Sequence, residues 1–509
     1  MTEDMMKIAE DYYKNADYEN ALKCLLEIIK ISKNNEKALV LAANSYDYCN
    51  DKKKAVSFYQ KAIKVNPDSL VAHVNLSIIY YELKEYDMAE KYAQKVLKKD
   101  SKNNSALIIL GNIFYGQRQY EKALDLYLYL SSYQKNNYIS SINLANTYME
   151  LKKYHEAVKY AMEAQEIAPQ KAVPYSVLGN AYRELEKDAE AILALEKAVE
   201  INPDDAWNYN YLSQIYQKLE KYNEALGFGY QAVLKNEELN NSHHINFGYL
   251  LYEISEKDMV SVQRFAQEWL DTFPQSEVVK YMANAILKEE KMHRANDEYL
   301  KNIFDVFAED FETVLSSLNY KAPEYIAEEL ERFYGESPSK KMTILDAGCG
   351  TGLCGLFLKK YAKIFGLHGV DISQKMLDVA KRKKIYNRLF CQELVAFLKT
   401  KNNAYDLIVS SDVFTYFGEL EELFYGLRNS LKKEGKLIFT ISKNRINEDS
   451  FLLHTSGRFL HDQKYIKSVL KETGFEIDKF IEKVLRNEGD EEVSGYLISV
   501  KKMVQKSSV

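Results

Sequence analysis

Hydrophobic positions in the first half of the chain return at a fixed interval. Stepping by 34 residues from Ala21 lands on Ala55, Ala89, Ala123, Ala157, Ala191 and Ala225. The same step joins Tyr12, Tyr46, Tyr80, Phe114, Tyr148, Tyr182 and Tyr216, and also Ile8, Ala42, Leu76, Leu110, Leu144, Leu178 and Leu212. The next column is small throughout: Ala9, Ala43, Ser77, Gly111, Ala145, Gly179 and Ser213. Small residues at a fixed place belong where two helices cross closely, at about 8–10 Å. The aromatic column is expected to fill the gap between one helical hairpin and the next. Pro67, Pro169 and Pro203 share one register and suit the turn, because proline fixes φ and cannot continue a helix. The pattern predicts seven helical hairpins from about Thr2 to Leu239. A degenerate eighth is expected over Asn240 to about Ser276, where Phe247, Gly248 and Pro274 sit roughly in register.

After about Glu289 this register is lost, and β-rich runs alternate with helical ones, the signature of a parallel α/β sheet. Strands are predicted over Thr343–Ala347, Ile364–Val370, Arg388–Cys391, Tyr405–Ser410, Lys436–Ile441, Glu476–Val484 and Gly495–Lys501. Helices are predicted over Gly352–Tyr361, Gln374–Lys383, Gln392–Lys399, Leu420–Leu431 and Asp462–Glu472. Two more, Glu298–Leu318 and Pro323–Tyr334, precede the first strand.

The 34-residue unit resembles the tetratricopeptide repeat. That resemblance implies a superhelical stack whose concave groove is lined by the first helix of each unit. One groove-facing column reads Glu10, Asn44, Ile78, Asn112, Asn146, Asn180 and Gln214, and a second contains Asn75 and Asn143. An asparagine amide donates and accepts at once, so such a row can grip an extended backbone whatever its sequence. Peptide-binding repeat proteins of this family use similar asparagines, which makes a protein or peptide the expected partner. The alternative is that these asparagines only solvate the groove.

The segment that carries chemistry is Ile344-Leu-Asp-Ala-Gly-Cys-Gly-Thr-Gly352, in which a hydrophobic strand runs into a glycine-rich loop and then a helix. Glycines let the backbone turn sharply and let a ligand approach it. The segment resembles motif I of class I S-adenosylmethionine-dependent methyltransferases. By that resemblance Gly348, Cys349, Gly350 and Gly352 cradle the methionine part of the cofactor, and Asp346 organises the loop and the amino group. Asp371, at the end of the next strand, can accept from both ribose hydroxyls. Ile372 and Met376 would pack near the adenine, with Ser373 as a helix N-cap. Gln392 or Glu393 stands where family members often place an aspartate for the adenine amino group. Ser411 closes the fourth strand between cofactor and substrate. The stretch Leu431-Lys-Lys-Glu-Gly resembles the family's turn into strand five, without its proline. Gly350-Thr-Gly352-Leu-Cys-Gly355 also fits a dinucleotide loop, but Asp346 inside the turn would place a negative charge against a pyrophosphate.

The remainder of residues 297–502 resembles a narrower group, bacterial class I methyltransferases that carry tetratricopeptide repeats. The resemblance rests on Phe307-Ala-Glu-Asp-Phe311, Leu318-Asn-Tyr-Lys-Ala-Pro323, Ser411-Asp-Val-Phe-Thr-Tyr416, Thr455-Ser-Gly-Arg458-Phe-Leu-His461 and Leu485-Arg-Asn-Glu488. It implies an all-α repeat solenoid followed by a Rossmann-like domain with a seven-stranded sheet whose last pair is antiparallel. Tyr320, Arg458 and His454 are expected in the substrate pocket, with Arg458 a possible clamp for a substrate carboxylate. Tyr416 and His461 are the catalytic candidates. His461 suits a general base near neutral pH, or a structural role at the start of its helix. No Asn/Asp-Pro-Pro-aromatic run follows strand four, which argues against amide or adenine methylation.

Composition narrows this picture. A formal net charge of -6 argues against a broad nucleic-acid surface, and the scarcity of glycine (20) and proline (7) in 509 residues favours long helical stretches. Five scattered cysteines without a CxxC pair fit a reducing compartment and no zinc site. The start of the chain lacks an apolar leader and no run approaches a membrane span, so a cytoplasmic protein is expected. The layout anticipated is repeats over 1–240, a capping repeat and linker helix over 241–289, entry helices over 290–340, the catalytic core over 341–503 and a disordered tail over 504–509. Two alternatives remain open: a small-molecule methyltransferase whose repeats serve assembly, and a scaffold whose methyltransferase-like domain is inactive.

Overall fold

The computed structural model describes residues 2–134, 136–235, 242–288, 291–336, 338, 341–444, 450–488 and 491–503. The expected tail at 504–509 lies outside them. The chain divides into two compact units, Met1–Ile215 and Tyr216–Val509.

Among the described residues, fourteen helices between Thr2 and Leu234 fall two to each 34-residue interval, from Thr2–Lys14 and Tyr18–Ile31 to Ala206–Lys218 and Tyr222–Leu234. All seven alanines of the Ala21 column are fully buried. The small column has a direct steric cause. A Cβ on Gly111 would stand 2.4 Å from Tyr127 Cε1, and one on Gly179 would stand 2.4 Å from Leu195 Cγ. The aromatic column packs in clusters that join successive hairpins, as anticipated: Tyr46 lies against the core of the first hairpin and Tyr148 against that of the fourth. Each also meets the ring twelve positions on in its own hairpin: Tyr80 stacks on Tyr92 and Tyr148 on Tyr160, with centroids 5.7 and 5.5 Å apart, and Tyr46 lies tilted against Phe58 at 5.2 Å. In the second unit Tyr216 stacks on Phe228 in the same way, at 5.2 Å.

The second unit begins inside the repeat register, well before residue 290. Helices Ser242–Ser255, Met259–Thr272, Glu277–Leu287 and Asp297–Phe307 share one core, in which Trp269, Tyr281 and Tyr299 are almost wholly buried. The repeat-like helices and the first entry helix are therefore one packed body.

Nine strands follow among the described residues: β1 Met342–Ala347, β2 Ala362–Asp371, β3 Arg388–Cys391, β4 Tyr405–Ser410, β5 Leu431–Ser442, β6 Phe451–Leu453, β7 Phe459–His461, β8 Phe475–Glu488 and β9 Glu491–Lys502. Seven form one sheet in the order β3-β2-β1-β4-β5-β9-β8. The first five are parallel, while β9 runs antiparallel to both β5 and β8. Alternate residues serve opposite faces. Ile344, Leu407, Val409, Ile438 and Leu497 meet Ile326 and Leu330 of helix Ala322–Tyr334 on one face. Leu345, Ile408, Leu437, Phe439 and Ile498 pack on the other, against helices Glu421–Ser430 and Gln463–Glu472.

Two local features depart from the sequence reading. The small hairpin β6–β7 was not anticipated, and its Leu453 and Phe459 join the core of the repeat-like helices. The single helix expected over Glu298–Leu318 is two, Asp297–Phe307 and Phe311–Ser317. The break lets Glu309 reach Arg382 at 2.7 Å and Glu312 reach Lys383. These ion pairs seat the second helix on the sheet's helices.

Candidate functional site

β1 ends at Ala347, and its chain turns through Gly348 (φ 75°), Gly350 (φ 51°) and Gly352 (φ 92°) before helix Leu353–Leu358. These φ values favour glycine. A Cβ on Gly348 would also lie 2.2 Å from Val413 Cγ2, so the loop touches the segment that follows β4. A Cβ on Gly350 would meet only Phe311, at 3.7 Å, and would project into open space. That space is a cleft of about 1200 Å³, its mouth included, at the carboxyl ends of β1, β2 and β4. Ligands in open parallel sheets bind at this place.

Asp371 ties the cleft together. Its Oδ2 accepts from the Gly350 N–H at 2.8 Å and its Oδ1 from the Ser373 N–H at 2.9 Å. Burial raises its pKa, against the pull of these N–H groups. Asp346 lies deeper, 1% exposed, and its Oδ2 accepts from the Tyr386 hydroxyl at 2.6 Å. Burial pushes its carboxyl up to about 7; the Tyr386 bond opposes this and the charge of Asp371 adds to it. Tyr386 was not foreseen from sequence. It also fixes two glycines, since a Cβ would stand 3.0 Å from its ring at Gly352 and 2.4 Å from its hydroxyl at Gly355.

Helices Asp297–Phe307 and Phe311–Ser317 supply an apolar wall through Leu300, Phe304, Phe311 and Leu315. Polar ties hold this wall to the glycine loop and its neighbours: Thr351 Oγ1 donates to Glu312 at 2.6 Å, and Ser373 Oγ donates to Asp305 at 2.6 Å.

The expected site residues largely converge. Asp346, Gly348, Cys349, Gly350, Asp371, Ile372, Met376, Gln392, Glu393 and Ser411 all line the cleft, as do Tyr320, Arg458 and Tyr416. Gly352 does not line it; it starts the helix beneath Tyr386. Tyr320 and Ser411 share a hydrogen bond at 2.6 Å. Both carboxylate oxygens of Glu393 are taken as the N-cap of helix Leu394–Lys399, at 2.9 and 2.7 Å, which leaves Gln392 the freer of the pair.

Two expected residues lie elsewhere. His461 is fully buried in β7, with Nε2 3.2 Å from the Gly418 carbonyl. Burial drives its pKa down to about 4, and it is not among the lining residues, so it is no base for this cleft. His454 turns onto the ring of Tyr252, with centroids 5.8 Å apart, and is likewise outside the lining.

Along the cleft runs a chain of charges whose pairing sequence reasoning did not assemble. Arg458 pairs with Glu488; Glu488 accepts from Arg486 Nε at 2.8 Å; Arg486 Nη1 donates to Asp412 Oδ2 at 2.7 Å. Tyr252, on a repeat-like helix, donates to Glu488 at 2.9 Å. Burial would raise Glu488, but the charges of Arg458 and Arg486 hold it at about 2. Asp412 and Arg486 are 74 positions apart, so only folding unites them.

In the first unit, the groove asparagines are partly occupied by one another. Asn44 Oδ1 accepts from Tyr59 and, at 3.1 Å, from Asn75. Asn112 Oδ1 accepts from Tyr127 at 2.6 Å and from Asn143 at 3.3 Å. Asn180 Oδ1 accepts from Arg183 Nη2 at 2.8 Å, and Asn146 is half-buried.

Residues 318–479 match a family model described as a methyltransferase domain. Residues 36–69, 74–99, 138–204 and 194–227 match tetratricopeptide-repeat models. The chain is similar to malonyl-[acyl-carrier protein] O-methyltransferase of Priestia megaterium, 30% identical over 152 residues, which are 29% of this chain and 53% of that protein. It is also similar to phosphoethanolamine N-methyltransferase 2 of Caenorhabditis elegans, 26% identical over 157 residues, 29% of this chain and 35% of that one. The chain therefore spans about half or less of each of these two relatives. Among solved structures, a tetratricopeptide repeat protein from Parabacteroides merdae aligns at 15% identity and TM-score 0.42, covering 49% of this chain and 98% of that one. No helix among the described residues is long and apolar enough to cross a membrane.

Proposed function

We propose that this chain, in which tetratricopeptide repeats precede a methyltransferase domain, is an S-adenosylmethionine-dependent methyltransferase whose repeats hold a protein or peptide partner. One observation carries the donor assignment: Asp371 and the backbone of Gly348–Gly350 face one cleft, with the glycine side open. Gly350 leaves room for a ligand where any side chain would intrude. Each oxygen of Asp371 carries one protein N–H and retains a lone pair, which suits the two adjacent hydroxyls of a ribose. Ile372 and the buried Met376 offer an apolar seat for a purine, with Gln392 at its edge. When bound, the cofactor supplies an electrophilic methyl group on a positively charged sulfur. The work of the chain is to align the acceptor and exclude water, and the Phe304–Phe311 wall serves both ends. The two relatives divide between O- and N-transfer, so they support the donor and leave the acceptor to this chain's own residues.

Asp371→Ala should abolish binding of S-adenosylmethionine; undiminished affinity would overturn this assignment. For the repeats, the test is transfer of labelled methyl from the cofactor into lysate. Label in the protein fraction that falls when Asn112, Asn146 and Asn180 are replaced by alanine supports the partner reading. Label confined to small molecules, and indifferent to those substitutions, favours repeats that serve assembly.

A further inference from the structure

At the start of β2 the chain turns bulky apolar side chains into solvent. Met342 of β1 faces Ala362 of β2, and Ile344 faces Leu367, so five steps along β2 answer two along β1. The surplus forms a bulge, Lys363-Ile364-Phe365-Gly366. Ile364 is 84% exposed and Phe365 77%, and neither packs into a hydrophobic core among the described residues. Phe365 also holds a φ of 59°, left-handed backbone that is unfavourable for a bulky residue. In the helix just before, Leu356 and Phe357 are exposed as well. Exposed apolar residues grouped in this way mark an interaction surface.

The charges around the bulge select its occupant. No acidic residue stands between Asp346 and Asp371, whereas Lys359, Lys360 and Lys363 do, all of them exposed. Lys360 pairs with Glu331; Lys359 and Lys363 have no ion-pair partner among the described residues. Arg388 and Lys401 gather at the same end of the sheet: with Lys363, they add to the effect of burial in lowering the pKa of His368. The cores of protein–protein interfaces are depleted of lysine. The headgroup layer of an anionic bilayer accepts this mixture, because apolar side chains enter it to about 5–10 Å while ammonium groups stay with the lipid charges. The cleft lies at the other end of the strand. From Gly366 to Asp371 β2 rises roughly 17 Å, at ~3.3 Å per residue, which exceeds that depth and keeps the cleft in water. We propose that Ile364 and Phe365 insert into the headgroup layer of an anionic lipid bilayer, with Lys359, Lys360 and Lys363 at its surface, and so hold the methyltransferase unit at a membrane with its cleft in water.

Co-sedimentation of the full chain with vesicles is the test. Phosphatidylcholine vesicles containing roughly a third phosphatidylglycerol should bind the wild type at least about tenfold better than phosphatidylcholine alone, and less well as salt rises from about 0.05 to 0.5 M. Ile364→Ser combined with Phe365→Asn should lower the partition coefficient at least about tenfold, the scale of two apolar side chains. Asparagine tolerates the left-handed backbone, so this variant should fold. Lys359→Gln and Lys363→Gln should each cost about fivefold. Melting within about 2 °C of the wild type shows that a variant is folded. If the double variant does not fold, Phe365→Asn alone decides, with a loss of about fivefold or more expected. No partition of the wild type onto the anionic vesicles, equal partition onto both kinds, or partition that the bulge substitutions leave unchanged, overturns the proposal. Self-association of the wild type that these substitutions abolish, without vesicle binding, overturns it in favour of a second copy covering the bulge.

Discussion

Asp346→Asn should stabilise the methyltransferase unit at alkaline pH and leave it unchanged in acid. The carboxyl is 1% exposed, and burial lifts its pKa from 3.8 to about 7. Because the folded state keeps the proton to higher pH than the unfolded chain, the native form binds more protons between these values. Stability from this group is thus complete below pH 4 and is lost as pH rises to about 7. The gap from 3.8 to about 7 corresponds to at most ~4 kcal/mol, at ~1.4 kcal/mol per pH unit. Asparagine has the same shape, carries no charge, and keeps an oxygen for the Tyr386 hydroxyl now 2.6 Å away. At ~2 °C per kcal/mol, the variant should melt about 3–8 °C above the wild type at pH 8.5 and within about 2 °C of it at pH 4.5. The assay is calorimetric melting of the full chain, with the relevant transition identified by its upward shift in S-adenosylhomocysteine. A variant that is destabilised at pH 8.5, or whose difference from wild type does not change with pH, would refute the reasoning.

The same group should couple cofactor binding to pH. If Asp346 must ionise to meet the cofactor's amino group, affinity climbs as pH rises towards about 7 and then levels, by up to about tenfold per pH unit; titrations from pH 5.5 to 8.5 on wild type and Asp346→Asn check this, and parallel curves would contradict it. Gly348→Ala faces both a φ of 75° and Val413 at 2.2 Å, so S-adenosylmethionine binding should be lost; binding retained within about threefold would show that the loop is not the cradle. Arg486→Met leaves the partly buried Asp412 and Glu488 short of their cation and should destabilise the unit by about 3–5 kcal/mol in denaturant melts; a loss below ~1 kcal/mol would mean the charge chain is dispensable. A chain starting at residue 290 removes Trp269 and Tyr281 from a shared core and should be insoluble, whereas one starting at Tyr216 keeps that core and should fold. Equal solubility of the two would contradict the division of the chain.

Much of this was legible because it is periodic or local. The seven alanines recur with period 34, the five parallel strands are β-rich runs alternating with helical ones, and both patterns survive in the structure. The glycine loop and Asp371 were readable because a strand, a tight turn and a strand-end acid follow one another closely. What escaped depends on contacts remote in sequence. Tyr386 meets Asp346 40 positions away, and Tyr252 meets Glu488 236 positions away. The helix break at Ala308 has no proline or glycine to announce it, and the ion pairs that it permits join residues about 70 positions apart. His461 was misleading because its residue type suits a base, while its burial, invisible in sequence, removes it from the cleft. The groove asparagines were read as a row facing the groove; the tyrosines that occupy Asn44 and Asn112 come from the second helix of the same hairpins.

The central claim is that the glycine loop and Asp371 form a site for S-adenosylmethionine. Isothermal titration of the full chain with S-adenosylmethionine, and separately with NAD, tests it most directly. The account predicts one site per chain for S-adenosylmethionine, lost in Asp371→Ala, and no measurable binding of NAD. Binding of NAD without binding of S-adenosylmethionine would contradict it.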